Sequence, residues 1–231
     1  MPSDPKTARL AGWLYLIGSV TGVFGILYGP SLLVPGDAAA TTRNILAHAS
    51  LFRLSIVSAL LDQVIFILVV FALYQVLKVV NQHMAGLMVI FLLLSIPIAM
   101  LNELNNGAVL FLVRGADAVN VFTAEQRHAL VLLFLDLHAL GLNIGFLVGA
   151  PWFFPLGYLV FTSGFLPRML GVLLIINGLG YLIDSFAALL LPTLNVNLVQ
   201  FTGWVEVVFA LWLVIRGVNV AGWQKRGHAA A

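Results

Sequence analysis

The stretch Phe134-Leu-Asp136-Leu-His138-Ala-Leu-Gly141-Leu-Asn143-Ile-Gly145-Phe-Leu-Val-Gly149-Ala-Pro151 is apolar enough to lie in a bilayer, yet it carries an acid, a histidine and an amide. At about 100° per residue, Asp136 and Asn143 share one helix face. Gly141, Gly145 and Gly149 repeat every four residues and form another, with His138 three residues before the first of them. The glycine face admits a neighbouring backbone closely, as small-xxx-small seams do in membranes. The acid face needs a polar neighbour, because a bare carboxylate in hydrocarbon costs several kcal/mol. One helix therefore calls for two kinds of partner, and the other segments are read as supplying them.

The whole chain shares this character. Of its 231 residues, 61% are hydrophobic and only 9% are charged, with a mean hydropathy of +1.06. A soluble domain carries about 25% charged residues, so this chain could not cover its surface in water and is expected to be an integral membrane protein. The net charge of +2 comes from a few scattered flanking Lys and Arg, which make no nucleic-acid surface. The absence of cysteine excludes disulfides, thiolate metal ligands and thiol nucleophiles. The N-terminal apolar run is too long for a signal-peptide core of about 7–15 residues and reads as an uncleaved first span. Residues 1–231 are expected to form one membrane domain with no separate soluble part.

A spanning helix needs about 20 apolar residues. Six such spans are predicted, at about 10–34, 51–80, 84–113, 125–162, 169–191 and 198–218. Gly18, Gly22, Gly25 and Gly29 form a packing stripe on the first, and Ala38 to Ala47 reads as a short surface helix. In the second, Ser55, Ser58 and Asp62 share a face, with Gln63 beside the acid. The third contains Pro97, predicted to kink it, and the most polar intramembrane run, Asn102-Glu103-Leu-Asn105-Asn106. Thr123 to Gln126 is a capping box for the fourth. That fourth run has no charged break, only Pro151 and Pro155, and is expected to be one long, kinked helix. Asn177, Gly180, Tyr181 and Asp184 share a face of the fifth. The sixth carries Gln200, Gly203 and Glu206 and ends in a basic tail with Trp223 as an interface anchor.

Charge distribution supports this count. With six spans, Lys6, Arg9, Lys78, Arg168, Arg216, Lys225 and Arg226 fall on one side, and Arg43, Arg114 and Arg127, with Asp37, Asp117 and Glu125, on the other. This is the positive-inside pattern, so both termini are expected to be cytoplasmic. Splitting the fourth run would place Arg168, or the tail from Arg216 to Arg226, on the wrong face.

Several blocks carry a family resemblance: Ala8-Arg9-Leu-Ala11-Gly12-Trp-Leu-Tyr15-Leu, Leu51-Phe52-Arg53, Leu73-Tyr74-Gln-Val-Leu77-Lys78-Val-Val-Asn81, Ser163-Gly-Phe-Leu-Pro-Arg168 and Gly180-Tyr-Leu-Ile-Asp184-Ser-Phe186. The chain resembles the bacterial domain-of-unknown-function family of polytopic membrane proteins numbered 4386, over nearly its whole length. The resemblance implies a multi-pass protein of the bacterial cytoplasmic membrane and brings no established activity. The Asn102 to Asn106 run and Pro151-Trp-Phe-Phe-Pro155 lie outside the family pattern.

Five predicted helices each contribute one intramembrane acid: Asp62, Glu103, Asp136, Asp184 and Glu206. Measured from the outer helix ends, the first three lie roughly 15–20 Å deep and the last two roughly 10–15 Å. Five carboxylates gathered together cannot all be ionised, so one or more should carry a proton at neutral pH. Arg53 and His138 are the candidate counter-charges, and Asn106 and Asn143 the accompanying amides. His138 points toward the glycine seam, away from Asp136, so the two are no local pair. A lone deep histidine makes a poor metal site, and no metal or cofactor is assigned. Trp152, Phe153 and Phe154 are read as lipid- or interface-facing, with lining a pocket as the alternative. There is no nucleophile elbow, zinc-protease motif, phosphate loop or dinucleotide fingerprint.

Three functions fit this pattern. The leading one is a small-molecule-binding protein with an outward-facing acidic pocket, acting as a proton- or cation-linked transporter, with Glu103, Asp136 and Asp62 as carriers. Gly29-Pro30 and Gly149-Ala-Pro151 sit at corresponding places in two three-span halves, as in inverted-repeat transporters. The second is an intramembrane enzyme using paired carboxylates on a lipid or isoprenoid. The third is an accessory subunit whose polar residues only join helices. The expected partners are the lipid bilayer, a small-molecule or lipid ligand, and a second copy packed through the glycine seams.

Overall fold

Helix α1 (Pro5–Tyr28) is where the first apolar run becomes structure, and Pro30 begins the 3-10 turn that ends it. In this computed structural model the described residues are 5–114, 121–191, 193–194 and 196–229. The expected outer loop with Asp117, and Pro192 and Asn195 of the last short loop, lie outside them. Asp37 caps the short helix α2 (Ala38–Ala47) by accepting from Ala40 N at 2.7 Å. The long helices α3 (Ala49–Leu77) and α4 (Gln82–Arg114) follow. Asn81 Oδ1 accepts from Met84 N at 3.1 Å and so starts α4, which runs unbroken through Pro97.

The capping box at Thr123 opens α5 (Ala124–Gly149), with both reciprocal bonds to Gln126 formed. A 3-10 turn at Ala150–Trp152 joins it to α6 (Phe153–Ser163), so the fourth predicted span is one 40-residue run with a break at Pro151. Gly164, at φ +75°, ends α6 in a left-handed conformation that suits glycine. Next come α7 (Arg168–Leu190), the single turn α8 (Val199–Thr202), α9 (Trp204–Ile215) and α10 (Val220–Ala229). Among the described residues five helical runs are long and apolar enough to cross a membrane, and a sixth is formed if the bent pair Val199–Ile215 and Val220–Arg226 counts as one. The chain is an all-helical, multi-pass membrane bundle.

Depth within the bundle is layered. One apolar cluster fills the end that carries both chain termini, with Tyr15, Leu73, Leu77, Met88, Leu156 and Leu213. A second fills the opposite end, with Ile45, Phe52, Val109, Val131 and Leu135. Between them runs a belt of buried polar side chains: Ser58 and Asp62 on α3, Asn102, Glu103 and Asn106 on α4, His138 on α5 and Asn177 on α7. Outward-facing positions are large and apolar, as at Val20 and Leu104, which suits contact with acyl chains.

Helix lengths revise the depths expected from sequence. At 1.5 Å per residue α4 is about 50 Å long and the α5–α6 run about 60 Å, against a hydrocarbon thickness of about 30 Å. Both runs exceed that thickness, so a distance from a helix end is not a depth in the membrane. Asp136 lies on α5 between Leu135 of the second apolar cluster and His138 of the polar belt, with its own side chain exposed.

Candidate functional site

The polar belt contains two centres. The first joins α4 to α5. Glu103 Oε1 lies 3.0 Å from His138 Nε2, and Asn106 Nδ2 donates to Glu103 Oε2 at 2.9 Å. Next to Glu103 on α4, Asn102 Nδ2 donates to the His138 carbonyl at 2.9 Å, and Asn105 Nδ2 donates to Asn102 Oδ1 at 3.0 Å. Asn102, Glu103 and Asn106 fall on one face because they are spaced one and four residues apart. Gly141 makes the approach feasible: a Cβ there would overlap the Asn102 amide. Both oxygens of Glu103 are thus occupied.

The second centre gathers α1, α7 and α9 around Glu206. Tyr15 Oη donates to Glu206 Oε2 at 2.7 Å, while Tyr181 Oη and Asn177 Nδ2 donate to Oε1 at 3.0 and 3.1 Å. Asn177 and Tyr181 are four residues apart, so one face of α7 supplies both. All three donors are neutral. Acceptor capacity is left over here: among the described residues, the Oδ1 of fully buried Asn177 has no hydrogen-bond partner, and neither has the buried Thr202 Oγ1. Thr202 stands against Gly180, where a Cβ would come within 2.7 Å of its hydroxyl.

Aromatic rings close this centre on its lower side. Tyr15 packs against Phe66, Trp152 and Phe209, with ring centroids 5.1, 6.2 and 6.2 Å away. Tyr181 stacks on Phe153 at 5.7 Å and 8°. The expected lipid-facing placement of Trp152 and Phe153 is therefore corrected, since each is only 3% exposed. The break at Pro151 turns both rings into the core, where they fix the two tyrosines that hold Glu206. Phe154 is partly exposed.

Asp62 sits on α3 against Gly22, where a Cβ would lie 3.1 Å from its Cγ. Gln63 Nε2 donates to its Oδ2 at 3.0 Å, and Oδ1 makes no hydrogen bond among the described residues. Asp62 stands one turn from Phe66, the ring that packs on Tyr15. The other expected members stand apart. Asp184 accepts from Leu198 N and Val199 N, both at 2.8 Å, and caps α8. Asp136 and Arg53 are exposed. Asn143 Nδ2 bonds back to Ala139 O at 3.0 Å on its own helix. His138 pairs with Glu103 across the helix interface. Thus Glu103, His138 and Asn106 come together, whereas Glu206 gathers Tyr15, Tyr181 and Asn177, and Asp62 bonds to Gln63 on its own helix.

The sequence places Asn177 and Tyr181 on one face and Tyr15 in a block of family resemblance, and none of them was expected to have a role at an acid. The signal was present: a Tyr and an Asn four residues apart on an apolar helix need a buried acceptor.

An uncharacterized protein of Archaeoglobus fulgidus is 38% identical over 76 residues, which are 33% of this chain and 46% of that relative's length. No solved structure matches the chain. The family model described as a domain of unknown function, DUF4386, matches residues 10–217, and the chain belongs to that family.

Proposed function

We propose that this protein binds a proton or a small hard cation at Glu206, with Asp62 as the neighbouring acid, and uses that site in cation-linked transport across the membrane. The observation that carries the reading is a half-buried carboxylate held by three neutral donors from α1 and α7, beside an Asn177 oxygen that lacks a donor among the described residues. A carboxylate left ionised inside a membrane bundle is costly unless something compensates its charge. Tyr15, Tyr181 and Asn177 orient it without neutralising it. A proton on Glu206 would remove the charge, and a monovalent cation would take Asn177 Oδ1 and the Asp62 carboxylate as oxygen ligands. Neutral donors make such binding reversible, which an Arg or Lys partner would not.

Glu103 is a weaker carrier, because His138 and Asn106 already occupy its carboxylate. Asp136 is exposed on α5.

The test uses the purified protein in detergent and a hydrophobic carbodiimide, which modifies protonated carboxyl groups in apolar surroundings. Peptide mapping should locate the adduct on Glu206, labelling should fall as pH rises, and sodium or lithium ions should protect if the site also takes a metal cation. Glu206→Gln should abolish the adduct. Absence of labelling at Glu206 across the pH range, with no sodium or lithium binding measured by calorimetry, would leave an accessory protein with a structural acid.

A further inference from the structure

Helix α10 leaves α9 at 96° and crosses the end of the bundle instead of prolonging it. It is tied down at several points. Trp223 Nε1 donates to the Val76 carbonyl at 3.0 Å, Asn219 N to Phe165 O at 3.1 Å, and Arg226 Nη2 to Thr162 O at 3.0 Å. Asn219 Oδ1 also accepts from Gly222 N at 3.1 Å, which caps the helix start. Gly222 brings α10 close to the α6–α7 turn, since a Cβ there would already stand 3.4 Å from Phe165 Cβ. The expected anchoring role of Trp223 takes a different form: the indole is 7% exposed and grips the end of α3.

Between α10 and that turn lies a hollow of about 420 Å³, lined by Ser163, Gly164, Gly222, Lys225 and Arg226. Gly222, Lys225 and Arg226 are spaced i, i+3, i+4 and so share one face of α10. Lys78, Arg168 and Arg216 lie at the same end, and no described acid does.

We propose that this hollow binds the phosphate-bearing headgroup of an anionic phospholipid, with Lys225 and Arg226 as the charge partners. The helix turns 96° from α9 at the end of the bundle that carries Lys78, Arg168 and Arg216, and basic pockets at the end of a membrane bundle suit such lipids. Arg226 spends one of its N–H groups on Thr162 and keeps the others for a phosphate. Backbone amides of the turn cannot serve as an anion nest, because Phe165 N and Leu166 N both donate to Ser163 Oγ, at 3.3 and 3.1 Å. The two cationic side chains must therefore carry recognition. Exposed Tyr158 and Phe161 on α6 give acyl chains an apolar wall, which free phosphate does not need. This inference is independent of any cation bound at Glu206.

The test is lipid retention by the full-length detergent-purified protein, read by native mass spectrometry after incubation with phosphatidylglycerol or phosphatidylcholine. Wild type should retain phosphatidylglycerol preferentially. Lys225→Gln should lower its retention about five-fold, as expected for one basic residue near a charged headgroup, and adding Arg226→Gln should lower it further. Arg43→Gln, an equal charge change on α2 at the opposite end, should leave it unchanged. Lys225 makes no hydrogen bond among the described residues, so its loss leaves the ties of α10 intact. Equal retention of both lipids, wild-type retention in Lys225→Gln, or displacement of the lipid by equimolar inorganic phosphate would each overturn the assignment.

Discussion

Gly141→Ala and Gly145→Ala are the same substitution one turn apart on α5, and the geometry gives them opposite signs. A methyl group at Gly141 would overlap the Asn102 side chain, whereas one at Gly145 meets nothing within 4 Å. At Gly145 the change should therefore show only the helix-propensity gain of up to about 1 kcal/mol. At Gly141 the Asn102 amide must leave its place, breaking its bond to the His138 carbonyl and the one it accepts from Asn105. Each buried group left without a partner costs about 1–3 kcal/mol. Set against the propensity gain, the net loss is about 1–5 kcal/mol. Reversible unfolding in mixed micelles with increasing dodecyl sulfate, followed by far-ultraviolet ellipticity, measures both. The decisive comparison is a cycle with Asn102→Ala: in that background Gly141→Ala should be neutral or stabilising, because the obstacle is gone. If the two glycine variants shift stability in the same direction, or if Gly141→Ala costs as much with Ala at position 102 as with Asn, then α4 and α5 do not meet through this amide.

Two contrasts between acids follow. Asp184→Ala removes the acceptor for two backbone amides of α8 and should cost about 1 kcal/mol, with Asp184→Asn costing less; thermal unfolding in micelles reads this, and an unchanged midpoint for Ala would refute the cap. Glu103→Gln should destabilise by about 1–3 kcal/mol, because His138 loses its charged partner, while Asp136→Asn should stay within about 0.5 kcal/mol. Equal losses in the same assay would mean that Asp136 has a buried partner.

What was legible in the sequence is what depends on local physics. Span positions followed from the length of apolar runs, and the start of α5 from Thr123 and Gln126 as a capping box. Pairing between helices was not legible, because periodicity fixes a face without naming the helix that meets it. Asp136 and Asn143 share a face as expected, yet that face turns outward. The buried face belongs to His138 and Gly141, whose partners Glu103 and Asn102 lie on α4. The glycine seam shows the same limit: Gly141 meets Asn102, Gly149 meets Ser95, and Gly145 meets nothing. Depth failed for a different reason. It was referred to helix ends, and helices of about 50 to 60 Å do not end where the hydrocarbon does. The layered core supplies a better reference than the ends. On α3, α4 and α5 the order along the helix is an outer apolar group, a polar group and an inner small or apolar group. Phe52, Asp62 and Leu73 show it on α3, and Leu135, His138 and Gly145 on α5. An acid with an apolar cluster both above and below it cannot reach water by a change of rotamer, and Asp62 and Glu103 are placed so. Asp136, one residue beyond Leu135 on an exposed face, is not.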